Sequence, residues 1–193
     1  MKTTIILAHP WHGSFNKAIL DAIVTELQSR QKEFTIVDLY KDHFDSALSE
    51  EDLALYSKGL YTDELVRKYQ EILMETKELI IIFPIWWYNV PAVLKGFLDK
   101  VLLKDFAFTE IKTGLKGKLT HITKATVITT SESPTWYLKY FRGNTIEHFF
   151  IKGTLHDIGI KNATWLNSDR TTSGTDGMRK DFLKKAVKLI SSK

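Results

Sequence analysis

The stretch from Glu78 to Val101 constrains this chain most. Leu79, Ile80, Ile81, Ile82 and Phe83 form an unbroken apolar run. A half-exposed strand alternates apolar and polar residues, so continuity predicts a strand buried on both faces, as in parallel sheets. Pro84 ends it, and Ile85, Trp86, Trp87, Tyr88 and Asn89 put three large aromatics where a loop is normally polar. Pro91 fits the first position of a helix, where a missing N–H is no loss. Leu94, Phe97, Leu98, Val101 and Leu102 follow at helical spacing, which predicts a helix packed back on the sheet. Strand, aromatic loop and helix make one βα unit, and open α/β sheets bind ligands at such carboxyl ends. Aromatics placed there either wall a flat conjugated ring or fill core beneath a long loop.

The flanking sequence repeats the pattern. Thr3 to Ala8 reads as a strand ending at His9-Pro10. Ser14 is an N-cap, and Phe15, Ile19, Ala22, Ile23 and Leu27 make one apolar helical stripe. Phe34 to Leu39 reads as the second strand and Asp42 to Ser49 as loop, with Ser49 before the acidic first turn Glu50, Glu51, Asp52 of a short helix. Asp63 or Glu64 to Thr76 is amphipathic and helical. Leu103 to Thr123 reads as irregular, with turns at Gly114 and Gly117. Ala125 to Thr130 is a strand, Thr145 to Asp157 a helix stopped by Gly159, and Lys161 to Leu166 the last strand. Asp176 caps a final helix facing inward through Phe182, Ala186, Leu189 and Ile190. Alternation of this kind predicts one α/β domain over residues 1–193, a parallel sheet with helices on both faces and right-handed crossovers. Five strands favour the flavodoxin-like order over the six-stranded dinucleotide fold.

Composition narrows the function classes. The 193 residues are 44% hydrophobic and 26% charged, an ordinary globular balance. No apolar run approaches the roughly 20 residues that span a bilayer, so no membrane insertion is expected. The amino terminus does not read as a signal peptide, because His9-Pro10 interrupts the short strand after Lys2. The absence of cysteine excludes disulfides, zinc–thiolate sites and thiol nucleophiles, and the expected setting is the cytoplasm. Net charge is +4, yet the lysines are spread and form no basic run, which argues against nucleic acid and for solvated lysine faces.

Three loops emerge at strand carboxyl ends. In the first, Ser14, Phe15 and Asn16 open a helix whose free N–H groups and dipole suit a phosphate. No Gly-x-Gly-x-x-Gly follows the first strand, and Gly114-Leu115-Lys116-Gly117-Lys118 lacks P-loop spacing. The second is the aromatic loop. The third, Thr129 to Ser133, offers hydroxyls and backbone donors of the kind a heterocycle requires. A phosphate end, an aromatic wall and a polar edge together describe an FMN-like ligand. His9 and His12 have no carboxylate at metal spacing, so no metal site is expected, and His9 reads as positioning phosphate or loop backbone. His121, His148 and His156 show no ligand pattern, Glu147 and Asp157 no sign of paired acid–base work, and no Gly-x-Ser-x-Gly elbow exists.

These residues resemble the NAD(P)H:quinone oxidoreductase family of flavodoxin-like flavoproteins, including its bacterial general-stress and modulator-of-drug-activity types, over nearly the whole chain. His9-Pro10 with Ser14-Phe15-Asn16 is similar to that family's flavin-phosphate loop. Asp38-Leu39-Tyr40, Phe44-Asp45 and Leu48-Ser49 resemble its segment after the second strand. Phe83-Pro84-Ile85-Trp86-Trp87-Tyr88-Asn89-Val90-Pro91-Ala92-Val93-Leu94-Lys95-Gly96-Phe97, with Asp99 and Val101, carries the strongest resemblance. Departures exist too. The family's Thr-Thr-Gly-Gly is here Thr129-Thr130-Ser131-Glu132, which puts side chains where backbone approaches the ring. Tyr137 falls where relatives carry a tyrosine near the flavin carbonyl, but Gly143 stands near the place of its companion histidine.

The resemblance implies a flavin enzyme passing two electrons as hydride from NAD(P)H through flavin N5 to a quinone or similar acceptor. Flavin contacts then fall to His9, Ser14, Phe15 and Asn16, to Pro84, Ile85, Trp86, Trp87 and Tyr88, and to Thr129, Thr130, Ser131 and Glu132. Tyr137 is the candidate catalytic donor. FMN is slightly favoured over FAD, because the animal FAD enzymes carry an extra carboxyl-terminal segment. Relatives form homodimers, which would occupy exposed aromatics such as Trp136, Tyr140 and Phe141. Two alternatives share the fold: a flavin-binding partner of a potassium-efflux transporter, and a flavodoxin-type electron carrier, which a basic charge disfavours.

Overall fold

Every residue of the central strand is buried. In the computed structural model, which describes residues 2–191, β3 (Glu78–Pro84) divides its side chains between two cores. Leu79, Ile81 and Phe83 enter one hydrophobic cluster, Ile80 and Ile82 the other, as the two-residue period of a doubly covered strand requires. β1 (Thr3–Leu7) and β6 (Lys124–Thr130) pair with it in parallel, and β2 (Phe34–Asp38) and β7 (Ala163–Ser168) form the edges. Counted in chain order these five strands lie 2-1-3-4-5, the flavodoxin-like order.

Helices α1 (Phe15–Ser29) and α6 (Asp176–Ser191) cover one face. α3 (Glu64–Glu75), α4 (Ala92–Val101) and a π-helix (Ile146–Leu155) cover the other. The predicted stripe of α1 is sunk in the core: Ile19, Ile23 and Leu27 are wholly buried. No helix among the described residues is long and apolar enough to cross a membrane.

Several elements differ from the sequence expectation. The segment read as irregular contains a hairpin, β4 (Phe108–Ile111) with β5 (Gly114–Gly117). Gly114 turns the chain at φ 137°, whereas Gly117 is no turn. A Cβ on Gly117 would lie 2.2 Å from the Gly159 backbone nitrogen, so this glycine permits two chains to touch. Pro91 is the N-cap of α4 and not its first helical residue. The Thr145–Asp157 helix is wound as a π-helix, with His156 N–H donating to Ile151 carbonyl, and still stops at Gly159. Thr135–Phe141 forms a further helix, α5, capped at long range by the Asp169 carboxylate, which accepts from Thr135 N–H (3.0 Å) and its hydroxyl (3.2 Å). β7 begins two residues later than its sequence reading, and Asp176 lies inside α6, whose first turn is capped by the Thr175 hydroxyl.

The short helix α2 (Glu50–Tyr56) has the expected acidic first turn and closes a capping box between Ser49 and Asp52, but it has no buried residue of its own. What holds it is a buried cation. Lys100 of α4 is 6% exposed, with its ammonium 3.3 Å from Asp52, 3.9 Å from Asp63 and 3.3 Å from the Ala47 carbonyl. The Ser49 backbone N–H, against an opposing effect of burial, holds the Asp52 carboxyl below its usual value. A depressed carboxylate stabilises the fold above the ordinary range and loses that contribution as pH falls through its lowered value. Removing one partner of a buried ion cluster leaves the rest uncompensated. Lys100→Met should therefore raise tryptic cleavage at Lys58 about tenfold or more while the sheet core stays protected, because cleavage follows the local opening equilibrium. Unchanged cleavage would mean that α2 is held some other way.

Candidate functional site

The loops after β1, β3, β6 and β7 enclose an open cavity of about 790 Å³ at the carboxyl edge of the sheet. Its floor is stitched across strands. Ile85 N–H donates to the Thr130 carbonyl at 2.8 Å, and Asn16 Nδ2 to the Thr130 hydroxyl at 2.9 Å.

Ser14, Phe15 and Asn16 line one end. The Ser14 hydroxyl accepts from Lys17 N–H at 3.2 Å, and no acidic residue in the first turn of α1 offsets the positive end of the helix dipole. Asn16 is 3% exposed, and its Oδ1 has no hydrogen-bond partner among the described residues. An orphaned buried acceptor costs about 1–3 kcal/mol unless a donor reaches it. Phe15 anchors the helix start against Phe182, ring centres 6.0 Å apart. His9 accepts from Trp11 N–H through Nδ1 at 3.1 Å, which leaves its proton on Nε2. Burial pushes its pKa below the ordinary imidazole value, so it is neutral at neutral pH. Trp11 also lines this end, its indole lying where a Cβ on Gly13 would be.

Pro84, Ile85, Trp86, Trp87 and Tyr88 form the wall. Trp86 and Asn89 exchange backbone hydrogen bonds at 3.1 and 3.0 Å, which closes a two-residue turn with Trp87 at φ 51° and Tyr88 at φ 62°. Asn-Gly is the usual content of such a turn, and aromatic residues there are strained. Neither tryptophan fills core: Trp86 is 43% and Trp87 94% exposed. The Thr145 hydroxyl donates to the Tyr88 carbonyl and so fixes the turn to the start of the π-helix.

Thr130, Ser131 and Glu132 line the third side. Thr129 does not. It is fully buried, with its hydroxyl donating to Asn167 Oδ1 at 2.7 Å and accepting from Trp165 Nε1 at 2.8 Å. Adjacent strand residues face opposite ways, so Thr129 and Thr130 cannot both point to the cavity. Ser131 and Glu132 stand where the family has glycines, and neither has a positive φ. Their groups brace the loop after β7: Thr171 N–H donates to the Ser131 carbonyl, and Thr172 N–H to the Glu132 carboxylate at 2.6 Å, joined by the Ser173 hydroxyl at 3.0 Å. Burial opposes the charge of Glu132, but these bonds outweigh it and hold its carboxyl below the usual range.

That bracing adds Thr171, Thr172 and Arg179 to the lining, residues that sequence reasoning missed. The available signal was topological, since the loop after β7 is a fourth carboxyl-end loop of the same sheet. Trp11 and Leu138 complete the missed set, whereas Ser133 lines the cavity as part of the third loop. Arg179 is satisfied by the Thr171 and Gly174 carbonyls, both at 2.9 Å, and by Asp176. Tyr137 stands outside the lining, stacked on Phe141 with ring centres 5.9 Å apart. Arg142 lies over both Tyr137 and the cavity residue Tyr88. His12 has a carboxylate after all, Asp38 at 2.8 Å, but the two form a pair apart from the cavity. No cluster of three metal-ligating side chains occurs among the described residues.

The family described as flavodoxin-like fold matches residues 1–190. The mouse protein named ribosyldihydronicotinamide dehydrogenase [quinone] is 31% identical over 183 residues, covering 83% of this chain and 78% of that one. An Escherichia coli protein, the uncharacterized NAD(P)H oxidoreductase YcaK, is 35% identical over 106 residues, and the match spans about half of each chain, 54%. The solved structure of an NAD(P)H:quinone oxidoreductase from Methanothermobacter marburgensis superposes with a TM-score of 0.85 at 27% identity, covering 98% of this chain and 96% of that one.

The strained turn can be tested without any ligand. Asparagine tolerates left-handed backbone better than tryptophan does, and the Trp87 side chain is almost wholly exposed. Trp87→Asn should leave the unfolding free energy in urea unchanged or raise it by up to about 1 kcal/mol. A loss larger than that would show that the indole holds the fold together.

Proposed function

We propose, on the premise that the chain belongs to the flavodoxin-like fold family and within it to the NAD(P)H:quinone oxidoreductases, that this protein is a flavin-dependent NAD(P)H oxidoreductase. It passes two electrons from NAD(P)H to a quinone or similar small acceptor. The observation that carries the reading is convergence on one cavity. An α1 N-terminus without an acidic residue, Asn16 with its orphaned Oδ1, and an exposed aromatic turn all line the same cavity.

The residues fit a flavin. Ser14 and the first N–H groups of α1 would hold its phosphate. Trp86, Trp87 and Tyr88 would cover the ring and exclude water, while Thr130 and the backbone of Ser131 and Glu132 would meet its polar edge. The neutral His9 would offer its Nε2 proton without adding charge. When bound, the flavin supplies the two-electron chemistry, and the protein contributes binding, orientation and electrostatics. FMN is the proposed form, because one helix N-terminus with one hydroxyl suits a single phosphate. Tyr137 receives no direct role here, because Leu138 and not Tyr137 lines the cavity. Backbone donors of the third loop take the place assigned to it from sequence.

The proposed setting is the cytoplasm. The proposed assembly is a homodimer, in which a second copy covers Trp136, Tyr140 and Phe141, which are 57%, 79% and 67% exposed. Light scattering at the mass of a single chain would refute the dimer.

Activity is the direct test. Protein reconstituted with FMN should oxidise NADH or NADPH in the presence of a naphthoquinone at about 1 s⁻¹ or faster, within the common range of enzymes. Flavin-free protein should show no such turnover. Flavin-loaded protein that transfers electrons to neither a quinone nor an azo dye would overturn the enzymatic reading.

A further inference from the structure

At the rim of the cavity stands a cation without a polar partner among the described residues. The guanidinium carbon of Arg142 lies 4.9 Å from the ring centre of Tyr88, which lines the cavity, and 5.0 Å from that of Tyr137. Among the described residues these are its contacts, and no carboxylate or carbonyl takes its N–H groups. The charged groups in the lining are already engaged. Thr172 and Ser173 satisfy Glu132, and Thr171, Gly174 and Asp176 satisfy Arg179.

Arg142 is also held in place. It ends α5, and the chain then turns at Gly143 (φ 72°) and Asn144 (φ 48°) into the π-helix. Arg142 and Thr145, on either side of that turn, grip the same residue, one over the Tyr88 ring and the other at its carbonyl. A guanidinium held by aromatic rings keeps its planar fork of N–H donors for another ligand. That fork matches the paired oxygens of a carboxylate, sulfonate or phosphate.

We propose that Arg142 is an anion-recognising residue at the mouth of the cavity. It selects planar ligands that carry an oxyanion beside the part stacked on the aromatic wall. The inference rests on the reading of the cavity as a flavin site shared by electron donor and acceptor. The oxyanion belongs either to the acceptor or to a phosphate of the nicotinamide dinucleotide, and the chemistry of recognition is the same.

Calorimetric binding to FMN-loaded protein separates these sources and needs no turnover. One pair of ligands is a naphthoquinone sulfonate and the unsubstituted naphthoquinone; the other is the oxidised dinucleotides NADP+ and NAD+, which cannot reduce the flavin. Arg142→Gln should weaken the more anionic member of at least one pair about fivefold more than its partner, and Arg142→Lys should restore part of that difference. A selective loss in the quinone pair places the oxyanion on the acceptor, and one in the dinucleotide pair places it on the donor. Equal loss for both members of each pair, no loss in either, or no binding of any of the four overturns the proposal. A protein that binds them with this selectivity yet reduces no quinone would refute the electron-transfer reading and leave Arg142 as the selector.

Discussion

Register across β1, β3 and β6 is the constraint on which the rest depends. Ile80 and Ile82 pack against α1 and α6, while Leu79, Ile81 and Phe83 pack against the opposite layer. A slip of one residue would exchange the two sets, so both cores enforce the pairing. Parallel pairing then brings the strand ends level, with Leu7 beside Ile82 and Pro84 beside Thr130. The helix cap, the aromatic turn and the polar edge meet in one cavity because the sheet delivers them there.

Upon that rigid floor the rim is strained. Two aromatic residues sit in left-handed backbone at Trp87 and Tyr88, each costing roughly 1–2 kcal/mol. The Trp86–Asn89 backbone pair and the Thr145 hydrogen bond offset this, and the turn displays an almost fully exposed indole. Such geometry persists where the surrounding structure over-determines it, which is characteristic of ligand sites. Opposite the turn, Ser131 and Glu132 turn a departure from the family pattern into a brace. Their carbonyl and carboxylate hold the loop after β7 against the cavity, a task that glycine could share only through its backbone.

Local features were legible in the sequence and long-range ones were not. The unbroken β3 run, the Ser14 cap and the acidic first turn after Ser49 each depend on residues a few positions apart, and each formed as read. Lys100 with Asp52 and Asp63, His12 with Asp38, and Thr135 with Asp169 join residues tens of positions apart, and nothing local marks them. Thr129 was misplaced for a related reason. In a strand buried on both sides no alternation tells which hydroxyl faces the cavity, and the Asn167 and Trp165 partners of Thr129 come from a strand far along the chain. Gly117 resembled a turn because its real function, contact with Gly159, is tertiary.

Equilibrium titration with FMN, followed by the flavin's own fluorescence, tests the central claim most directly. The tryptophans at the wall should quench the flavin, with saturation at one FMN per chain and a dissociation constant of about 1 μM or tighter. Unquenched flavin, with neither FMN nor FAD bound at that concentration, would contradict the account.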